Sequence, residues 1–105
     1  MMEDKTIKMR GKISAGVAEI KVLMRHPMET GTRRDEAGKV IPAHYIEQVI
    51  CRHNDTVVLT ADWGTSVSKD PYFAFKVNNT KAGDVVKVSW TDNQGEFSEG
   101  EIVLK

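Results

Sequence analysis

A chain of 105 residues with fifteen acidic and fifteen basic side chains carries no net charge, and this excludes several classes of function. Without a basic excess there is no electrostatic footprint for nucleic acid, and little self-repulsion opposes association with another protein. The length predicts a single domain, 1–105, able to bury about 60–70% of its unfolded surface, and the lone Cys51 rules out an intramolecular disulfide framework.

In chain order, the N-terminal MMEDKTIKMRGKI mixes charges and lacks the apolar centre of a signal peptide. No apolar run approaches the roughly 18 residues of a membrane helix, so no membrane partner is expected. Ile20, Val22 and Met24 then alternate with Glu19, Lys21 and Leu23, the period of a strand. From Pro27 to about Tyr45 neither strand nor helix periodicity holds. Connections longer than about 12–15 residues are uncommon unless functional or disordered, and the Met, His, Ile and Pro content is not that of a disordered tail. The segment from His26 to Ile41 is therefore expected to be a docking surface.

Tyr45 to Arg52 has apolar residues on both faces, as in a strand covered on both sides. Further alternating runs place Val57, Leu59, Ala61 and Trp63 on one face, then Phe73, Phe75 and Val77, then Val86, Val88 and Trp90. Phe97, Ile102 and Leu104 close the chain, with Gly100 suggesting a bulge or bend. Turn chemistry separates the runs at His53-Asn54-Asp55, at Asn78 to Asp84 and at Asp92-Asn93-Gln94-Gly95, where Gly95 is available for positive φ. No window carries a sustained helical stripe. An all-β, immunoglobulin-like β-sandwich of about seven to eight antiparallel strands is predicted. The core is expected to hold Ile20, Val22, Leu59, Trp63, Phe73, Phe75, Val86, Val88, Trp90 and Leu104.

Little in the chain suggests catalysis. Met24, His26 and Met28 set two thioethers and an imidazole two residues apart, a set that suits copper, but no second Met or His cluster completes a site. Cys51 reads as a small buried hydrophobe, since a reactive thiol needs exposure and an electropositive neighbourhood. Ser66-Val67-Ser68-Lys69 has the letters of an acyl-transfer motif in a β-rich context, where Pro71 denies the helix that motif requires. Asn78-Asn79-Thr80 has the letters of a glycosylation sequon and reads better as a turn. No catalytic residue, cofactor or metal is expected. The contact candidates are His26, Pro27, Met28, Arg33, Arg34 and Ile41, with Trp63 and Tyr72 from the second irregular connection.

Three blocks together carry a resemblance: HPMETGTRRDEAGKVIPAHYI (His26 to Ile46), ADWGTSVSKDPYFAFKV (Ala61 to Val77) and AGDVVKVSWTDNQGE (Ala82 to Glu96). In this order they resemble the SoxZ family. The resemblance implies an immunoglobulin-like sandwich that is not an enzyme. It implies a heterodimer with a SoxY-like subunit, whose Gly-Gly-Cys-Gly-Gly arm holds sulfur intermediates of thiosulfate oxidation, and visits to Sox pathway enzymes through that complex. The closing Glu101-Ile102-Val103-Leu104-Lys105 has no such arm, which fits the scaffold role. The resemblance also implies a periplasmic location, reached by co-export with a signal-bearing partner. Balanced charge and alternating strands permit a homodimer when that partner is absent.

Overall fold

A computed structural model describes residues 6–105. Seven strands run as β1 (Ile7–Ser14), β2 (Val17–Met24), β3 (Ile46–His53), β4 (Thr56–Asp62), β5 (Tyr72–Val77), β6 (Val85–Asp92) and β7 (Phe97–Val103). They form two antiparallel sheets, β1-β2-β5 and β4-β3-β6-β7, with no helix among the described residues. This is the immunoglobulin-like sandwich that the alternation predicts. β1 is the one strand not anticipated, because the charged positions in IKMRGKIS hide its period.

The core follows the period-two pattern. Ile20, Val22 and Met24 of β2 face Val49 and Cys51 of β3 and Val86, Val88 and Trp90 of β6, all buried, with Leu104 closing one end. Leu59, Trp63, Phe73 and Phe75 are only half-buried and pack against this centre. Three apolar strand residues outside the expected core are exposed for identifiable reasons. A bulge at Val58 interrupts the β3–β4 register between Cys51 and Arg52, so Val57 and Val58 both face solvent. Phe97 sits at the start of β7 on its outward face and is 61% exposed.

Gly100 is not a bulge. The β6–β7 register runs unbroken through Val88↔Gly100, and a Cβ there would lie 3.1 Å from Cβ of Ile7. The glycine allows β7 to approach β1 across the gap between sheets. Gly95 has φ 81° in the β6–β7 turn, as predicted, and Asn54-Asp55 joins β3 to β4 with both φ values positive.

The segment between β2 and β3 is not featureless. It folds back as an irregular hairpin, bridged at Glu29↔His44 and Arg34↔Val40, with its tip turned between Asp35 and Lys39. Its base is fastened to the second irregular connection, because Asp70 N donates to the His26 carbonyl and the His26 N–H donates to Asp70 Oδ1 at 3.1 Å. Both connections therefore emerge at the same end of the sandwich.

Candidate functional site

The inward alternation of β2 does not stop where the strand ends. Ile20, Val22 and Met24 are followed by His26 and Met28, both buried, with Arg25 and Pro27 exposed between them. On β6, Val86, Val88 and Trp90 lead to Asp92, also buried. Two apolar stripes thus end in polar groups at one end of the core, where His26 Nε2 lies 3.0 Å from Asp92 Oδ2. The Glu29↔His44 bridge brings in His44, and the turn after Asp92 brings in Glu96.

The hydrogen bonds assign the protons. The Met28 N–H donates to His26 Nδ1 at 3.1 Å, so the hydrogen of that ring sits on Nε2 and is donated to Asp92. The Asp92 Oδ1 atom accepts the N–H groups of Gln94 and Glu96 at 3.0 and 2.8 Å. His44 Nε2 lies 2.8 Å from both Asp92 Oδ2 and Glu96 Oε1. Burial alone would raise the Asp92 pKa, but bonds from His26, the Glu96 backbone and His44 outweigh it and hold the carboxyl at about 2. Asp92 is a buried anion with four donors aimed at it. His26 also stands edge-on to Trp90 and to His44, with ring centroids 5.0 and 4.6 Å away.

The copper arrangement that the spacing of Met24, His26 and Met28 would suit does not form. Met24 is fully buried in the core, the Met28 sulfur accepts the Ile46 N–H at 3.4 Å, and His26 spends both nitrogens on Met28 and Asp92. Spacing put the three side chains on one face, but each found a separate partner there. Cys51 is fully buried on β3, and burial pushes its thiol up to about 11, which leaves it protonated and inert at neutral pH.

The contact candidates divide by exposure. Pro27, Arg33, Arg34 and Tyr72 are exposed, and Ile41 and Trp63 are half-exposed. His26 and Met28 are buried, and of the two only Met28 reaches the surface, at the floor of a groove between the loop residues around it. Pro27, Glu29, Thr30 and Arg33 line one shallow groove, and Trp63, Val67, Pro71 and Tyr72 line another. Lys69 borders both and joins them into one face. His44, Asp92 and Glu96 had no local signal, since they lie 18 to 70 residues beyond His26 in the chain and only tertiary folding gathers them.

The family model for sulphur oxidation protein SoxZ matches residues 7–103, nearly the whole chain. This chain belongs to the SoxZ family. Its setting is accordingly the Sox system of sulfur oxidation, in which SoxZ chains are subunits of a complex. A search of curated proteins found no match.

Proposed function

We propose that this SoxZ chain is the non-catalytic scaffold of a sulfur carrier. It pairs with a SoxY-like subunit that bears the sulfur on a flexible cysteine arm, and the pair visits the Sox enzymes. The observation that carries this reading is the state of the only thiol. Cys51 is enclosed by the core on a central strand and held protonated, so it can neither attack a sulfur donor nor reach another active site. Within a sulfur-oxidising complex, a chain with such a thiol supports its partner's chemistry instead of performing it. Operation in the periplasm follows from the same reading.

The surface supports a partner. The accessible area of 6938 Å² exceeds the about 5,900 Å² typical of a compact monomer of 11.8 kDa. Pro27, Arg33, Arg34, Ile41, Trp63 and Tyr72 supply the docking face, with the apolar groups central and the two arginines at a polar rim. Rim charges of this kind affect encounter more than residence time.

The test is intact-mass measurement of the chain with a SoxY-like partner after incubation with thiosulfate and the oxidising enzymes. The sulfur adduct is expected on the partner alone, and Cys51→Ala is expected to leave turnover near normal. An adduct on this chain, or full activity without a partner, would overturn the scaffold reading.

A further inference from the structure

His44 Nε2 stands at 2.8 Å from Asp92 Oδ2 and at 2.8 Å from Glu96 Oε1. One nitrogen therefore has one proton to offer two carboxylates. His26 gives its single ring hydrogen to Asp92 and has none for Glu96, so it adds a hydrogen bond but no positive charge to the pair. Among the described residues, the ion pairs of Asp92 and Glu96 are made by histidine and none by Lys or Arg. Even with His44 protonated, two carboxylates face one positive charge.

We propose that His44, Asp92 and Glu96 form a binding site for a divalent cation of the zinc class, which replaces the proton shared between them. The donor set selects the ion. An imidazole with two carboxylates suits borderline cations such as Zn²⁺, whereas Cu⁺ prefers sulfur and Ca²⁺ or Mg²⁺ an all-oxygen shell. The nearby thioether of Met28 is engaged by the Ile46 N–H.

The site is largely built. The ring nitrogens of His26 and His44 and one oxygen each of Asp92 and Glu96 all lie within 4.8 Å of one another. Ligands about 2.0–2.2 Å from a tetrahedral zinc sit roughly 3.3–3.6 Å apart, so the carboxylates need to retreat by about half an ångström. Glu96 is on an exposed turn and is free to do so. Asp92 is oriented by two backbone N–H groups at Oδ1, which turns Oδ2 toward the site. His26 is the supporting group behind it, donating to Asp92 and not itself a ligand. The half-exposed His44 and exposed Glu96 leave a fourth position to solvent. A cation there would clasp the β2–β3 hairpin to the β6–β7 turn.

The site is tested on the full chain alone, without a sulfur substrate or partner, so its outcome is separate from that of the carrier reading. After chelator treatment and dialysis, zinc is titrated by calorimetry, and the nitrogens of ¹⁵N-labelled histidine are followed by NMR. About one zinc per chain is expected, with His44 Nε2 losing its hydrogen and His26 Nε2 keeping it. Glu96→Gln should weaken binding more than about tenfold, a loss typical of damaged metal sites, and the exposed control Glu99→Gln should not change it. Absence of bound zinc, equal affinity in Glu96→Gln, or a metal shift at His26 Nε2 would each overturn the assignment.

Discussion

At the residue scale, Asp92 matters most to the end of the sandwich where the loops meet. Its carboxylate accepts from two imidazoles and two backbone N–H groups while almost fully removed from water. Asp92→Ala would leave those donors without an acceptor, and an unmet buried donor costs about 1–3 kcal/mol. Urea unfolding in the presence of chelator is expected to show a loss of about 3 kcal/mol, within the range for breaking a buried polar network. A loss below about 1 kcal/mol would show that water or rearrangement replaces the carboxylate. Cys51 provides a second expectation at this scale. Its buried, protonated thiol should react with a disulfide reagent only as fast as the protein opens, and at full rate in denaturant. Rapid labelling under native conditions would contradict the burial on which the scaffold reading depends.

At the element scale, the seam between β1 and β7 depends on an absent side chain. Replacing an exposed strand glycine by alanine normally helps, because glycine loses more freedom on folding. At Gly100 the opposite is expected. The new Cβ would sit 3.1 Å from Ile7 Cβ, an atom fixed to the backbone of β1, so the two strands must separate. Overpacking of this kind costs about 1–3 kcal/mol, and a lower melting temperature for Gly100→Ala is the measurement. A different polar clasp holds the end of β3 to the start of β6. His53 Nε2 is 2.8 Å from Asp84 Oδ2, which also accepts the Lys81 N–H. His53, then Asn54 and the Lys81 backbone, hold the Asp84 pKa well below the usual carboxylate range. A depressed folded pKa gives stability that is complete above the unfolded value and fades as pH falls toward the folded one. Stability should therefore decline below about pH 4, and Asp84→Asn should flatten that acid limb while lowering the neutral plateau. An unchanged acid limb in the variant would place the acid sensitivity elsewhere.

At the scale of the whole molecule, the chain is elongated. Its extents are 54 × 32 × 20 Å and its radius of gyration is 15.7 Å, against about 13 Å for a compact domain of this length. The two irregular connections project at one end and present Tyr72, Arg33 and Arg34 to solvent. Tyr72→Ala should leave the isolated chain's stability within about 0.5 kcal/mol, as for most exposed positions. The same change should weaken association with a SoxY-like partner by tenfold or more if Tyr72 anchors the interface, since aromatic anchors dominate binding energy. Hydrogen exchange with and without that partner should show protection between residues 27 and 41 and between 63 and 72. Equal exchange in both samples would move the interface to the open edges of β4 or β7.

The alternation of apolar residues was enough, by itself, to determine the sandwich and most of its core. Side chains two apart on a strand share a face, so Ile20, Val22, Val86, Val88 and Trp90 had to lie together. Turn residues marked where the chain reverses, as at Asn54-Asp55 and Gly95, because their positive φ is a local property. The blocks from His26 to Glu96 also pointed to the SoxZ family, to which the chain belongs. Local pattern could not reveal where a register slips. The bulge at Val58 depends on how β4 meets β3, and it turned Val57 outward against its period. Nor could spacing reveal what His26 would meet. The sequence set it beside Met24 and Met28, yet folding gave it Asp92 and placed both next to His44 and Glu96. Polar partners are chosen by distance in space, and a sandwich brings residues from opposite ends of the chain within 3 Å only after its two sheets have closed.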